Sequence, residues 1–363
     1  MSDKQATVAR SQARLDSVDA LRGLAVAAML LVNNPGDWGY VYAPLQHAAW
    51  HGCTPTDLIF PFFLFIVGVS IALSLGARVD AGCAPAPMAR GVLERALRIL
   101  LLGLALHALA WWLMDKPEFR LMGVLQRIAL CFAFTGLVAL YLRQRQQWLL
   151  LVALLVGYAV LLVAGGPLSK DGNLAARIDS ALLGAWSYEW SAATGQAHEP
   201  EGILSTLGAF ATCLLGLRAG DWLRQGLGAR LWALGAVALG LGYLAALHLP
   251  WNKQLWTSSF VLWTGGWACL ALALTHQLVD RRGLPALGRA FGVNAIAAYA
   301  GAWVLAVVLE GQGWMKPIYT GGFAWIAKGL GPYQASLAFA LTFVLLWAWV
   351  VWFLDRRRLY IKV

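Results

Sequence analysis

Apolar residues along this chain are grouped into long runs that are separated by short polar connections. Because about 20 apolar residues span the hydrocarbon core of a bilayer, a window of that length identifies candidate transmembrane helices. The pattern predicts an all-α integral membrane protein, built as a single bundle of about ten transmembrane helices. The predicted helices cover residues 17–34, 55–77, 92–114, 121–142, 147–165, 202–219, 229–248, 255–277, 287–309 and 335–354.

The connections between these runs predict the domain organisation and the orientation. No Pro/Ser-rich linker divides the sequence, so we expect an N-terminal tail at 1–16, one bundle at 17–354 and a basic tail at 355–363. Lys and Arg are concentrated in the tails and in alternate connections, as in cytoplasmic loops. Both termini are therefore predicted to be cytoplasmic, in a bacterial inner membrane. The long connections are 35–54 and 166–201, predicted to be periplasmic, and 310–334.

Composition agrees with a membrane location. Of the 363 residues, 60% are hydrophobic and 13% are charged, and the mean hydropathy is +0.64. The 19 tryptophans fit the two bilayer interfaces, where indole rings are enriched. The formal charge of +10 is spread over short loops, so we predict no nucleic-acid partner. The five cysteines have scattered spacings without a CxxC pair, and predict neither a disulfide framework nor a zinc-finger-like site.

Polar side chains are concentrated between the first two apolar runs, in LVNNPGDWGYVYAPLQHAAWHGCTPTDLIFPFFLFIVG at residues 31–68. A histidine transfers protons near neutral pH, and an asparagine amide donates to a developing oxyanion without adding charge. Acyl transfer requires these two tasks. From chemistry alone His47 and His51 are equal candidates, and a solvated loop histidine is the alternative for either. The polar residues are Asn33, Asn34, Asp37, His47, His51 and Asp57.

A metal site is another interpretation of the same segment. His47 and His51 are four residues apart, which is one turn in a helix, and Cys53 and Asp57 follow closely enough to complete a ligand set. The stretch at 52–55, which contains a glycine and a proline, disfavours a continuous helix there. We therefore predict no metal.

The first helix carries charged and amide side chains on one face. At about 100° and 1.5 Å per residue, Arg22 and Asn33 point the same way within about 20° and lie roughly 16 Å apart along the axis. Such a stripe fits a ligand with a phosphate-bearing head at one end and a reactive tip at the other, such as a coenzyme A thioester. The alternative for Arg22 is a neutralising pair with Asp19, three residues before it.

Other polar groups lie inside apolar runs, where a charge is costly and therefore a functional candidate. Arg127 in GVLQRIAL and Glu201 in EPEGILST lie near outer helix ends, and helix capping or snorkelling is the alternative for both. Asn294 in FGVNAIAAYA lies near the inner part of the ninth helix, where it can also bond to another helix.

Several of these motifs occur together in one known family. The chain resembles the heparan-alpha-glucosaminide N-acetyltransferase family in SVDALRGLAVAAMLLVNNPG, LQHAAWHGCTPTDLIFPFFLFIVG, GVLQRIAL, PEGILSTL and FGVNAIAAY, in this order from residue 17 to about 300. The resemblance implies acetyl transfer from cytosolic acetyl-CoA to the amino group of a glucosamine across the membrane. It assigns the active histidine to His47 and the active asparagine to Asn33. The chain departs from animal members in its short N-terminal tail and in His51, where WNG is usual.

Together, these observations predict a membrane-embedded acetyl-CoA-dependent amino-sugar N-acetyltransferase. His47 acts as base or as nucleophile, which leaves direct transfer and an acetyl-histidine route open, and Asn33 stabilises the carbonyl or the oxyanion. The partners are the amino sugar and the lipid bilayer, and a homodimer is left open. An amino-sugar transporter and an O-acyltransferase for a cell-surface polysaccharide are the alternative functions. The predicted acetyl-CoA contacts are Arg22, Arg98 and Asn294, and the predicted acceptor contacts are Asn34, Asp57, Arg127 and Glu201.

Overall fold

Each of the ten apolar runs is helical in the computed structural model, which describes residues 15–361. Eight of the runs correspond to one helix each, from the first run to the eighth. The ninth run forms two helices, and the tenth forms the last one. The helices are α1 Asp16–Asn33, α2 Ile59–Asp80, α3 Pro85–Leu113, α4 Val124–Tyr141, α5 Gln144–Ala164, α6 Leu174–Leu182, α7 Thr206–Arg224, α8 Arg230–Ala246, α9 Ser258–Thr275, α10 Arg289–Val293, α11 Ala295–Gly311, α12 Met315–Gly329 and α13 Pro332–Arg356.

The helices support a multi-pass membrane protein. Within residues 15–361, six helices are long and apolar enough to cross a bilayer, and a seventh span results if α11 and α12 are taken together. The other predicted spans are less apolar or shorter. α1 and α7 contain charged side chains such as Asp19 and Arg218, and α8 has only 17 residues. The six helices are Pro55–Asp80, Pro85–Leu113, Val124–Tyr141, Gln144–Ala164, Ser258–Arg281 and Pro332–Arg356.

The long connections contain structure that a 20-residue window cannot detect. The connection 166–201 forms α6 and a hairpin of β1 Glu189–Ser191 and β2 Gln196–His198. The connection 310–334 contains α12, which is bent by 95° from α11. α12 has no buried residue and Trp325 is 70% exposed, although Tyr319 and Phe323 pack against Phe339 of α13, so α12 is apolar on two sides of which only one contacts the bundle. Short helices do not produce a continuous apolar run of that length, which is why the sequence pattern missed both.

The centre of the bundle depends on close backbone contact between α2 and α7. A Cβ atom at Gly68 would lie 1.9 Å from the Cys213 carbonyl oxygen, and one at Gly216 would lie 1.9 Å from the Phe65 carbonyl oxygen. Small residues at helix crossings let backbones approach closely, which is the usual basis of packing in membranes. The α2–α7 pair therefore forms a fixed wall behind the polar segment that precedes α2.

The two ends of the described chain meet at one end of the bundle. Arg289 Nε lies 3.1 Å from Asp16 Oδ1, and its Nη1 lies 2.9 Å from Asp355 Oδ2. Because α1 starts at Asp16 and α13 ends one residue after Asp355, the start of α1 and the end of α13 lie on the same side of the bundle. Asn33, at the other end of α1, lies at the opposite end of the bundle, which we call the outer end.

Candidate functional site

His47 lies in the connection between α1 and α2 and contacts a buried carboxylate. A 3-10 turn at Pro55–Leu58 precedes α2, and Thr54 caps it. Asp57 Oδ1 lies 2.7 Å from His47 Nδ1. Its Oδ2 accepts hydrogen bonds from the backbone amides of Ala48 and Thr54, both at 3.0 Å, and from the Thr54 hydroxyl at 3.1 Å. Asp57 is fully buried, whereas 47% of the His47 side chain is exposed.

This arrangement determines which ring nitrogen of His47 is basic. A carboxylate only accepts hydrogen bonds, so Asp57 selects the tautomer with its proton on Nδ1 and leaves the lone pair on Nε2. The capping bonds hold Asp57 in place, because they are part of the turn that starts α2. The outer end of the bundle therefore presents an imidazole that Asp57 orients through Nδ1, with Nε2 on the side away from the carboxylate.

Lys253 is the second ionisable group at His47, and the sequence did not predict it. It lies in the connection between α8 and α9, and its Nζ is 3.2 Å from both ring nitrogens of His47. Burial lowers the pKa of the Lys253 ammonium from its ordinary value, while the carboxylates of Glu201 and Asp57 favour the charged form. Lys253 thus links the histidine to a second charged cluster.

That cluster is formed by the end of the 166–201 connection and the loop before α4. Arg120 Nη2 lies 2.5 Å from Glu199 Oε1 and 2.6 Å from Glu201 Oε2. Burial opposes ionisation of Glu201, but the guanidinium groups of Arg120 and Arg127 hold its pKa below the ordinary value. Glu201 is therefore a buried carboxylate that stays charged beside Lys253.

Arg127 is fully buried at the outer end of α4, in contact with the residues that follow Glu201. Its Nη2 donates to the Gly202 carbonyl oxygen at 3.1 Å and to the Ser205 hydroxyl, and its guanidinium lies 5.1 Å from the Trp256 ring centroid. Within residues 15–361, Nε and Nη1 of Arg127 have no hydrogen-bond partner. A buried guanidinium with two free donors can bind a polar ligand.

The two asparagines at the end of α1 have different surroundings. Asn33 is exposed at the last position of α1, and α1 packs against the Pro55–Leu58 turn that holds Asp57. Asn34 is half-buried, and its amide donates to the Leu30 carbonyl oxygen at 2.8 Å, so it closes the helix end. Asn33 is thus the amide with its side chain free for a ligand.

The face of α1 between Arg22 and Asn33 points into the bundle. Val26 and Met29 lie on this face and are buried. Met29 also lines a narrow apolar cavity, together with Phe60, Leu125 and Tyr299. The stripe predicted from the sequence therefore follows the bundle interior.

The three residues predicted to contact acetyl-CoA do not form one cluster. Arg22 Nη1 bonds to Asp19 at 2.8 Å and to the Gly292 carbonyl oxygen at 3.1 Å, as the ion-pair alternative predicted. Asn294 is buried at the break between α10 and α11, two residues beyond Gly292, and its Nδ2 has no partner within the described residues. Arg98 is exposed on α3, which packs against α4 and α11. Arg22 and Asn294 thus share one junction, and Arg98 lies on another helix.

His51 does not join His47 in a ligand set. Its Nδ1 is 3.4 Å from the Asn252 amide nitrogen, and Asn252 Nδ2 also donates to the Trp50 carbonyl oxygen at 2.9 Å. Across residues 15–361, no three His, Cys, Asp or Glu side chains are grouped so that they could hold a metal ion. The residues 46–54 are not helical, so the one-turn spacing of the two histidines does not bring them onto one face.

Sequence reasoning missed Lys253, Arg120 and Glu199. All three lie in connections on the outer side, where Lys and Arg are scarce, and that scarcity is the signal that could have found Lys253 and Arg120. Glu199 is two residues before Glu201, so a search for paired carboxylates would have found it.

Comparison with known proteins places the chain in one family. The sequence profile described as "Heparan-alpha-glucosaminide N-acetyltransferase, catalytic" matches residues 14–240. Heparan-alpha-glucosaminide N-acetyltransferase from Homo sapiens is 27% identical over 418 residues, covering 96% of this chain and 60% of the human protein. The Mus musculus protein of the same name is 27% identical over 435 residues, covering 100% of this chain and 62% of its own length. The chain thus spans about three fifths of these relatives.

Proposed function

Because the chain belongs to the heparan-alpha-glucosaminide N-acetyltransferase family by its match to the catalytic region, we propose that it transfers an acetyl group from acetyl-CoA to the amino group of glucosamine or a related amino sugar. The observation that carries the proposal is the His47–Asp57 pair, with Nδ1 of His47 held 2.7 Å from a fully buried carboxylate. This geometry supports a base on Nε2 at the outer end of the bundle. We further propose that the protein lies in a bacterial inner membrane, with this end in the periplasm.

In the direct route, the amine of the sugar attacks the thioester carbonyl carbon while His47 Nε2 accepts the amine proton. The carbon–nitrogen bond forms, the carbon–sulfur bond breaks, and the thiolate takes a proton from the imidazolium to leave as free coenzyme A. Asp57 stabilises the imidazolium without accepting its proton. In the two-step route, Nε2 attacks the carbonyl carbon first and the coenzyme A thiolate leaves, which forms an acetyl-imidazole. The amine then attacks the acetyl carbon, the carbon–Nε2 bond breaks, and the amine proton passes to the released imidazole. Both routes use the same tautomer.

Negative charge develops on the carbonyl oxygen in either route, and two groups can stabilise it. Asn33 is an exposed amide donor on the helix that contacts the Asp57 turn. Lys253 supplies a positive charge 3.2 Å from His47. Preorganised donors of this kind account for a large part of catalysis in acyl transfer.

The donor and the acceptor are proposed to approach from opposite ends. The pantetheine arm of acetyl-CoA would follow the α1 face from the junction of Arg22 and Asn294 to Asn33, where the cavity beside Met29, of about 20 Å³, must widen to admit it. The acceptor sugar would approach from the outer end, where Glu201 attracts its ammonium group and the free donors of Arg127 bind hydroxyl oxygens. Asp57, considered from the sequence as an acceptor contact, is proposed to position His47 instead, because both of its oxygens already have protein partners.

The proposal is tested by incubating the purified protein in detergent with acetyl-CoA, with and without glucosamine, and measuring free thiol and N-acetylglucosamine together. We expect both products in equal amounts, only with the sugar present. Amino-sugar uptake into vesicles without acetylation would support the transporter, and acetyl ester without amide would support O-acyl transfer.

Asn33→Ala is expected to lower kcat by about a hundredfold or more, the cost of removing one oxyanion donor in other enzymes. KM for glucosamine should change little, because the amide acts in the transition state. The matched control is Asn34→Ala, since Asn34 bonds to the Leu30 carbonyl oxygen and its loss affects the helix end. Equal losses of kcat in Asn33→Ala and Asn34→Ala would show that Asn33 does not stabilise the oxyanion.

The alkaline limb of the pH–rate profile is expected to depend on Lys253. Because burial lowers the pKa of this ammonium, it loses its charge at a lower pH than an ordinary lysine, whose pKa is about 10.4. Activity should therefore fall as pH rises through that lowered value. Lys253→Arg keeps the charge and should move the fall to higher pH. Lys253→Met should lower turnover at pH values below the pKa of Lys253 and approach wild type above it. Identical alkaline limbs in wild type and Lys253→Arg would exclude this role.

A further inference from the structure

A polar cavity lies at the inner end of the bundle, opposite the outer end. Four helices begin or end around it: α2 ends at Asp80, α4 ends at Tyr141, α5 begins at Gln144, and α7 ends at Arg224. The cavity has a volume of about 110 Å³. The proposed mechanism does not use it.

This cavity is separate from the path proposed for acetyl-CoA. Arg22 contacts α2 through Nη2, which donates to the Ser70 hydroxyl at 2.8 Å. Val79 lines the cavity from the same helix. At about 100° per residue, Ser70 and Val79 are nine positions and about 900° apart, so they point to opposite sides of α2. The inner cavity therefore lies on the side of α2 that faces away from Arg22.

Two buried arginines of α7 carry donors that are not used by the protein. Arg218 is fully buried, and its Nη1 donates to Asp221 Oδ2 at 2.6 Å and to Gln147 Oε1 at 2.7 Å. The Arg224 side chain is 10% exposed, and it bonds to Asp80 through Nη1 and to Asp221 Oδ1 through Nη2, at 3.1 Å. Nε of each arginine lacks a hydrogen-bond partner among residues 15–361. A buried donor without an acceptor is unfavourable, so an acceptor in the cavity would stabilise this pair.

Gly76 brings the guanidinium of Arg224 to the cavity wall. A Cβ atom at Gly76 would lie 2.4 Å from Arg224 Nε, so a larger residue would displace the guanidinium from α2. Gly76 and Arg224 both line the cavity. The unpartnered Nε therefore belongs to its wall.

The charges around the cavity leave an excess of one positive charge. Arg218 and Arg224 neutralise Asp80 and Asp221, with which they form ion pairs. Arg143 lines the cavity from the connection between α4 and α5, is exposed, and has no ion pair with any residue in the described part of the chain. A phosphodiester carries one negative charge and matches this excess, whereas a phosphomonoester carries about 1.5 to 2.

The size and the position of the cavity limit the ligand to a small group at the membrane surface. Its volume is below the range of about 300–1,000 Å³ for whole small molecules and several times the roughly 30 Å³ of a water molecule. It lies where membrane helices end, beside Tyr141, which is 56% exposed, and aromatic side chains are enriched at this depth of the bilayer. Lipid phosphates lie at the same depth.

We infer that the inner cavity binds the phosphodiester group of an anionic membrane lipid. Arg224 Nε and the Arg143 guanidinium donate to the phosphate oxygens, because guanidinium groups form strong charge-assisted bonds with phosphate. Basic pockets between membrane helices on the cytoplasmic side are suited to anionic headgroups. The acyl chains extend along the outward-facing stripe of α5, whose exposed members are Leu149, Val152 and Val156.

The test measures lipid binding to the purified full-length protein in an uncharged detergent by native mass spectrometry. Phosphatidylglycerol, phosphatidylcholine with the same acyl chains, and inorganic phosphate are titrated separately. The variants are Arg143→Gln and Ala139→Leu, which narrows the cavity without changing its charge, because Ala139 lines it. Arg145→Gln is the matched control, since Arg145 is exposed two residues away and does not line the cavity.

We expect wild type to bind phosphatidylglycerol at least about tenfold more tightly than phosphatidylcholine. Arg143→Gln should weaken phosphatidylglycerol binding by about fivefold, which corresponds to the roughly 1 kcal/mol that one basic residue contributes near anionic lipid. Ala139→Leu should weaken it by at least as much, although the charge is unchanged. Arg145→Gln should stay within about twofold of wild type.

Three results would overturn this lipid site. Equal affinity for the two lipids would show that the phosphate charge is not recognised. Equal losses in Arg143→Gln and Arg145→Gln, with Ala139→Leu unchanged, would show general attraction to a basic surface. Binding of inorganic phosphate without binding of phosphatidylglycerol would assign the cavity to a free anion. No substrate is present in these titrations, so the outcome does not depend on the proposed acetyl transfer.

Discussion

His47→Ala is expected to abolish acetylation of glucosamine while acetyl-CoA binding stays within about tenfold, which corresponds to about 1.4 kcal/mol. The imidazole is 47% exposed and contributes little packing, so its loss removes chemistry and leaves the fold intact. Without Nε2, the amine must lose its proton to water, and a nucleophilic route has no nucleophile. Thiol release gives the turnover, and titration of coenzyme A gives the binding.

His51→Ala is the matched control for this variant. It removes the same side chain four residues away, from a ring that contacts Asn252 instead of Asp57. We expect a loss of less than about threefold. Turnover of His47→Ala above about a tenth of the wild-type value would show that His47 is not the base. A larger loss of turnover in His51→Ala than in His47→Ala would assign the base to His51.

Asp57→Asn is expected to lower turnover by about a thousandfold to ten-thousandfold, as in the serine-protease triad, where the same change selects the wrong tautomer. Three donors converge on Oδ2 of Asp57, namely two backbone amides and the Thr54 hydroxyl. The asparagine must therefore turn its carbonyl oxygen toward them and its NH₂ toward His47 Nδ1. This moves the imidazole proton to Nε2, so the basic nitrogen faces the asparagine instead of the substrate.

The stability of Asp57→Asn should stay near that of wild type, because the cap of the Pro55–Leu58 turn is preserved. Asp57→Ala, which removes the cap, should in addition destabilise the protein, by about 1 to 2 kcal/mol on the scale of other caps. Asp37→Asn is the control, since Asp37 caps Gly39 through Oδ1 and does not contact His47. If Asp57→Asn and Asp37→Asn had equal turnover, Asp57 would have only a structural role.

The helices were predictable because membrane spans are the longest apolar runs that a sequence can contain. The elements that were missed, α6, the hairpin and α12, are short. At the candidate site, His47 and Asn33 were chosen through motif resemblance. The chemistry of the residues alone did not distinguish His47 from His51 as the catalytic candidate. The structure separates the two histidines by their partners: His47 contacts the buried carboxylate of Asp57, whereas His51 contacts the amide of Asn252.

The contact between Lys253 and His47 was not predictable, because the two residues are 206 positions apart in the chain. No period or spacing connects a loop after the seventh apolar run with a loop after the first. Glu201 and Arg127 were predicted as separate candidates, and only the fold brings Arg120 and Lys253 to them. The local sequence pattern thus identifies polar side chains within apolar segments. Which residues these side chains contact depends on how the helices pack.

The position of α1 also determines when the site can form during synthesis. Val26 and Leu30 of α1 pack against Phe291, Ala298 and Phe343, and Arg289 bonds to Asp16 across 273 residues. At about 5–20 residues per second, the ribosome needs roughly 15 to 55 s to make that stretch. Until then α1 lacks its contacts with α10, α11 and α13. We expect a chain whose translation stops before α10 to insert its early helices and the His47–Asp57 pair but, without these contacts, not to catalyse the proposed acetyl transfer.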